Sequence, residues 1–333
     1  MSVQTQTAPR SNVLIMLARF REVGLSLFIL ILIAGISLRS PNFLTLENFK
    51  DILLNISILV IVSLAQTIVM LTKGIDLSVS STIGLSAMMV SFIIKQYPDF
   101  SLVAAVLLGM ALGSVLGMFN GLVISIGKVP PIIATLGTLS VYRGLVFLYS
   151  NGTWINAFEM SKPFKQLAKG TPLGLPNLVI FAIVITILVY VFLNYTRTGR
   201  DIYAVGSNPD AAQFAGIRKQ RIIFLVYVIS GIAAGLAGVL WASRFESAQT
   251  NTGQGFELQT VAASIVGGVS TSGGVGTVPG VLLGALLLGI IQNSLTLIRI
   301  SPFWQQAVQG FLILIAVVSD ILIVRRVQQR NGK

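Results

Sequence analysis

Apolar runs of roughly 20 residues, each closed by charges or by a Pro/Gly cluster, recur along the whole chain, and that length is what one helix needs to cross a bilayer. About ten such stretches can be drawn, at 24–38, 51–72, 78–94, 102–126, 131–150, 176–195, 221–243, 257–270, 278–298 and 304–324. In hydrocarbon every backbone N–H and C=O must be satisfied inside the protein, so the expected fold is all-α, a polytopic transmembrane helical bundle. The stretch at 257–270 is the exception. It is short for a crossing and runs into Gly267-Gly268-Val269-Ser270-Thr271-Ser272-Gly273-Gly274-Val275-Gly276, which suits a broken or re-entrant element.

Of the 333 residues 54% are hydrophobic and 10% charged, whereas soluble domains carry roughly 25% charged residues. Lipid is therefore the expected solvent. The net charge of +12 is dispersed at the ends of the apolar runs, with no basic stripe interleaved with aromatics, so no nucleic acid is expected as a partner. Without a single Cys or His, the chain excludes disulfides, Cys/His metal sites, thiol nucleophiles and His-based triads. No catalytic set emerges, and no cofactor or metal is expected on this chain.

Residues 1–23 are polar and basic, and the following apolar run lacks a small-residue cleavage pattern, so it is expected to be an uncleaved first span. With this segment in the cytoplasm and ten alternating spans, Arg10, Arg19, Arg21, Lys73, Lys128, Arg197, Arg200, Arg218, Lys219, Arg221, Arg325, Arg326, Arg330 and Lys333 fall inside and outnumber the outside cations. Both termini, including the 325–333 tail, are then cytoplasmic. The membrane domain is 24–324, with a cytoplasmic loop at 197–219.

Gly109, Gly113, Gly117 and Gly121 are four residues apart and share one helix face, where a neighbouring backbone can approach closely. Gly231, Gly235 and Gly238 point the same way for the seventh span. Leu282-Leu283-Gly284 with Asn293 echoes Leu107-Leu108-Gly109 with Asn120 on a helix of opposite direction, which raises an inverted repeat; the unequal glycine-to-asparagine spacings leave it open.

The 197–219 segment is the longest charged interruption between spans. Asn208 suits an N-cap with Pro209 at the first helical position, Ala211 and Ala212 favour helix, and Gly216 supplies a stop, so a helix of about seven residues is expected. Its small residues make a knob suited to a groove on a partner, with Arg200 and its neighbours able to pair with an acidic rim; the alternative is an amphipathic turn resting on lipid headgroups.

Two charged residues stand against apolar surroundings. Asp76, in Lys73-Gly74-Ile75-Asp76-Leu77-Ser78, either caps the third span or lines a pathway or gate. Arg143 lies inside an apolar run and must snorkel, pair or face a cavity, with Glu257, Asp320 or Asp76 as candidate partners. Ser78, Asn120, Gln292 and Asn293 can exchange hydrogen bonds with a neutral polar cargo, although bonds between helices explain such residues at least as often.

Thr198-Gly199-Arg200, Ala204-Val205-Gly206-Ser207-Asn208, Ala211-Ala212 and Ala215-Gly216-Ile217 resemble the cytoplasmic coupling loop of the ribose-type ABC importer permeases. The resemblance extends over nearly the whole chain, through Ser40-Pro41-Asn42-Phe43, Gly74-Ile75-Asp76-Leu77-Ser78-Val79, Ala134-Thr135-Leu136-Gly137-Thr138, Arg143-Gly144 and Gly267-Gly268 to Gly273-Gly274. Ser80-Ser81 departs from the glycine common in that family, and Tyr142-Arg143-Gly144 with Trp154-Ile155 looks closer to the rhamnose and autoinducer-2 permeases. The resemblance implies a bacterial inner-membrane subunit for monosaccharide import, in a homodimeric or heterodimeric permease core. A separate ABC ATPase would use ATP and Mg, and a periplasmic sugar-binding protein would deliver the cargo. The chain has no Gly-x-x-x-x-Gly-Lys-Ser/Thr loop of its own. Import of autoinducer-2 and ion-coupled secondary transport are the alternative expectations.

Overall fold

The computed structural model describes residues 10–301 apart from 173, with the backbone alone for 10–21 and 41, and the scattered positions 304, 307, 308, 310, 311, 314, 315 and 318. Residues 1–9, most of the expected 304–324 span, Asp320 and the 325–333 tail lie outside the described residues.

Among the described residues, eight helices are long and apolar enough to cross a membrane. They are α1 (Arg10–Arg39), α2 (Leu46–Leu71), α3 (Val79–Gln96), α4 (Leu102–Ser125), α5 (Pro131–Ser150), α7 (Asn177–Tyr195), α10 (Lys219–Phe245) and α12 (Val278–Leu297). Four shorter helices complete the order: α6 (Lys162–Lys169), α8 (Arg197–Ser207), α9 (Pro209–Phe214) and α11 (Phe256–Val266). Local signals set the ends. Thr45 caps α2, Ser101 caps α4 and Thr277 caps α12, each side-chain oxygen accepting a backbone N–H of the first turn. Asn151 closes α5 in the left-handed conformation.

Helix α2 is the centre of the bundle, buried at every residue from Ile56 to Leu71. It is apolar around its whole circumference, as a helix enclosed by others must be. Two hydroxyls pair there with one backbone carbonyl: Thr67 Oγ1 donates to the Ser63 carbonyl at 2.8 Å, and Ser264 Oγ of α11 donates to the same carbonyl at 3.2 Å. Helix α10 packs along α4, α3 and α2. On the outer faces Leu107, Val115, Phe119, Leu136, Leu148 and Ile187 stand exposed, an apolar belt suited to lipid and not to water.

Seam α4–α10 shows what the glycine spacing does. A Cβ built on Gly113 would fall on the Gly231 carbonyl oxygen, and one on Gly117 on the Tyr227 carbonyl oxygen. Gly109 faces Val239 and Gly235, and Gly121 faces Phe224. The two backbones touch.

Helix α11 has 11 residues, about 16 Å at 1.5 Å per residue, against a hydrocarbon layer of about 30 Å. The expected short element at 257–270 is thus a half-length helix, ended by a loop in which Gly268, Gly273 and Gly274 take positive φ. That loop reaches the end of α2, where Gly274 N–H donates to the Leu71 carbonyl at 2.9 Å. Helix α8 meets it there, with Tyr203 Oη donating to the Gly276 carbonyl at 2.8 Å. The α2 C-terminus, α8, α9 and the glycine loop therefore occupy one end of the bundle. At the other end, Ser243 near the end of α10 holds α6 by donating to the Phe164 carbonyl at 2.6 Å and accepting Ala168 N–H at 2.9 Å.

Candidate functional site

The 72–78 connection folds back along α2. In the orientation that satisfies both its partners, the Gln66 amide donates to the Asp76 carbonyl and accepts its N–H, each at 3.1 Å. Asp76 is 1% exposed, so its carboxylate needs internal partners. Oδ1 accepts the Ser78 N–H at 3.0 Å and the Ser78 hydroxyl at 2.7 Å, while Oδ2 accepts the Ser230 hydroxyl of α10 at 2.7 Å. Asn120 Nδ2 of α4 donates to Ser78 Oγ at 2.8 Å, and Thr135 Oγ1 of α5 donates to the Ile75 carbonyl at 3.1 Å. Tyr142 Oη donates to the Leu116 carbonyl at 2.9 Å and lies 3.4 Å from Asn120 Oδ1. Ile75, Asp76 and Ser78 together thus tie the start of α3 to α5, α10 and α4 respectively.

About one turn further along α3 is a cavity of about 280 Å³, lined by Ser80, Leu139, Arg143, Phe147, Thr250, Asn251, Gln254 and Glu257. Arg143 Nη1 donates to the carbonyls of Thr250 at 2.9 Å and Thr252 at 2.8 Å, and Nη2 to that of Ser80 at 3.4 Å. Gly84 makes this possible, because a Cβ there would lie 2.8 Å from both Arg143 Nη1 and the Thr252 carbonyl. Of the three acids considered for Arg143, Glu257 shares its cavity without a direct ion pair, Asp76 is bonded elsewhere, and Asp320 lies outside the described residues. The guanidinium is spent mainly on backbone carbonyls. It fastens the 250–252 loop to α5 and α3.

The remaining candidates divide. Asp76, Ser78 and Asn120 form one network and Arg143 a second, both at the start of α3. Asn293 belongs to neither: its Nδ2 donates to Asn48 Oδ1 of α2 at 2.8 Å, a bond between helices near their other end. Sequence reasoning passed over Ser230, Tyr142 and Gly84. Gly84 had a signal, lying at helical spacing from Ser80-Ser81 on a face that must admit a large neighbour, but its neighbour came from a distant loop.

The 197–219 segment holds two helices where one was expected. Thr196 Oγ1 accepts Gly199 N–H at 3.0 Å and starts α8; Asn208 Oδ1 accepts the N–H groups of Asp210 at 3.2 Å and Ala211 at 3.1 Å and starts α9, which is 6 residues long. Arg200, Asn208, Ala211 and Gly216 are exposed, Gly216 with a φ of +82° and open space around it. Ala212 points inward at 4% exposure, and Phe214, the aromatic flanking the two alanines, stands 94% exposed at the tip. Burial raises the Tyr203 phenol above its ordinary range, so it stays protonated as the donor to Gly276.

A bundle of membrane-crossing helices with a buried carboxylate network, a cavity beside Arg143 and a capped helical loop displayed at one end defines a multi-pass membrane transport subunit. The chain belongs to the family described as branched-chain amino acid transport system / permease component, matched over residues 48–317. The ribose import permease protein RbsC of Escherichia coli (strain K12) is 37% identical over 294 residues, covering 88% of this chain and 91% of the relative. Its Bacillus subtilis (strain 168) counterpart is 40% identical over 296 residues, covering 89% and 91%. The galactose/methyl galactoside import permease protein MglC of Escherichia coli (strain K12) is 35% identical over 323 residues, covering 92% and 96%. No solved structure matches the chain.

Proposed function

We propose that this chain is the membrane-spanning permease subunit of an ATP-driven importer of a monosaccharide, in a bacterial inner membrane, and has no enzymatic activity of its own. The observation that carries this is the likeness to ribose and galactose import permeases over about nine-tenths of both chains. The family description names branched-chain amino acids, and the cavity gives a reason to prefer a sugar. An amino acid zwitterion needs a free cation and a free acid, whereas Arg143 is occupied by the Thr250 and Thr252 carbonyls. A neutral polyol needs only neutral donors and acceptors, which Ser80, Asn251 and Gln254 offer.

In this reading the cavity and the Asp76 network, with Ser78 and Asn120, lie along the translocation path. The α8–α9 end faces the cytoplasm, as do both termini, and Arg200, Asn208, Ala211, Ala212 and Gly216 form or support the dock for a separate ABC ATPase. ATP and Mg act on that partner. A periplasmic binding protein delivers the sugar, and a second permease copy, identical or not, completes the pathway. Reconstitution with the ATPase and binding protein of the same operon tests it: ATP-dependent uptake of ribose or galactose is expected. Uptake of leucine in place of any sugar, or of sugar under an ion gradient without the ATPase, would overturn it.

A further inference from the structure

A second polar pocket, of about 180 Å³, lies at the bundle end opposite α8–α9, lined chiefly by Asn55, Trp241, Arg244, Phe256, Gln259 and Gln292. We propose that it is an entry subsite for the transported monosaccharide, a reading that rests on the proposed function. It is smaller than the roughly 300 Å³ where drug-sized pockets begin, so it admits one small molecule. Its wall is aromatic and rigid. The Trp241 ring meets Phe256 edge-on at 5.1 Å and 88°, and Phe245 at 5.0 Å and 43°. Such a wall takes the C–H face of a sugar ring, and groups at its margin take the hydroxyls.

The margin is supplied. Among the described residues the side-chain amides of Gln259 and Gln292 have no hydrogen-bond partner, and each presents donors and an acceptor together. Arg244 is held in place, donating to the Leu54 carbonyl at 2.5 Å and to Asn55 Oδ1, with its guanidinium 4.8 Å from the Phe245 ring centre. Both terminal guanidinium nitrogens are thus taken up by acceptors of α2, and the free groups at the margin are neutral amides, which suits a neutral ligand. The first turn of α11 divides the two cavities: Phe256 and Gln259 line this one, Glu257 lines that of Arg143. A sugar arriving at the end away from α8–α9 would pass Arg244 and Phe245, at the end of α10, and come to rest against Trp241 one turn deeper.

The chain has three Trp residues, so Trp154→Phe with Trp304→Phe leaves Trp241 as the reporter in the full-length protein in lipid nanodiscs. Ribose or galactose should change its emission saturably, and Gln292→Ala or Gln259→Ala, checked to melt as the parent does, should raise the midpoint at least about tenfold. Absence of a saturable response in protein that imports the sugar when assembled with its ATPase and binding protein would overturn the subsite and leave the transport reading standing. Failure to import any sugar would overturn the transport reading. A Trp241 response to the anionic-lipid content of the nanodisc, and none to sugar, would assign the pocket to a lipid headgroup and overturn the proposal.

Discussion

The Leu71 carbonyl at the end of α2 accepts the Gly274 N–H at 2.9 Å, and the same oxygen is where a Cβ on Gly206 of α8 would fall. Three segments distant in sequence therefore converge on one peptide group. Leu71 leads through 72–78 to Asp76, and Gly274 leads through 267–273 to α11 and Glu257. Helix α8 thus abuts both segments that lead to the polar networks.

Gly206→Ala is the sharpest test of that convergence, since one methyl group must displace either Leu71 or the Gly274 loop. Overpacking of this kind costs about 1–3 kcal/mol. The expected outcome is a lower melting temperature in detergent and, in the assembled transporter, ATP hydrolysis without matching sugar uptake. A variant that melts and couples as the parent does would show that α8 can shift freely.

Gly113→Ala probes the α4–α10 seam, where the added Cβ would meet the Gly231 carbonyl oxygen. Backbone cannot rotate aside as a side chain can, so the loss should reach at least about 1–3 kcal/mol. Gly137→Ala, with open space around its Cβ position, is the matched control and should melt within a degree or two of the parent.

Asp76→Ala removes the acceptor for the Ser78 N–H, the Ser78 hydroxyl and the Ser230 hydroxyl at once. Each buried donor left unpaired costs about 1–3 kcal/mol, so Asp76→Ala should destabilise more than Asp76→Asn, which keeps one carbonyl oxygen. Thermal melts of the two variants and of Ser230→Ala, arranged as a double-mutant cycle, measure the coupling.

At the opposite end, Lys169 lies 2.5 Å and Lys165 3.6 Å from Glu246, fastening α6 to the end of α10. The Lys169 hydrogen bond, with both lysine charges, lowers the Glu246 carboxyl below its ordinary 4.5. A depressed acid contributes stability above its unfolded value and loses it as pH falls through the folded one. The protection of α6 amides against hydrogen exchange, taken relative to the intrinsic rate at each pH, should therefore be unchanged between pH 7 and 5 and fall only below the ordinary glutamate range. Glu246→Gln should abolish that fall.

Eight of the spans were legible because hydrocarbon imposes a length on each helix that no soluble fold requires. So were the α4 glycines and the weakness of 257–270, since both follow from local spacing. The site was legible only in part. Asp76 and Arg143 stood out as charges in apolar runs, but their partners, Ser230 and the Thr250 and Thr252 carbonyls, come from segments far along the chain. Two of those partners are backbone atoms, which carry no sequence signature. The aromatic flanking Ala211-Ala212 was legible as part of the α9 knob, but that Phe214 is its exposed tip while Ala212 turns inward follows from packing that the sequence does not show.

Arg143→Lys separates the geometry of the guanidinium from its charge. The guanidinium reaches the Thr250 and Thr252 carbonyls from one nitrogen and the Ser80 carbonyl from the other, a planar fork that an ammonium cannot reproduce. If Arg143 serves only to place a positive charge in the cavity, Lys should support uptake. If it anchors the 250–252 loop against α3, Lys should fail nearly as badly as Ala, with uptake reduced at least about tenfold, because a misplacement near 1 Å already costs about 100-fold in a positioned site. The fork predicts the second result. None of the residues that Arg143 holds belongs to the α8–α9 surface, so pull-down of the ATPase should be unaffected in both variants, and normal uptake by Arg143→Lys would remove the anchoring role.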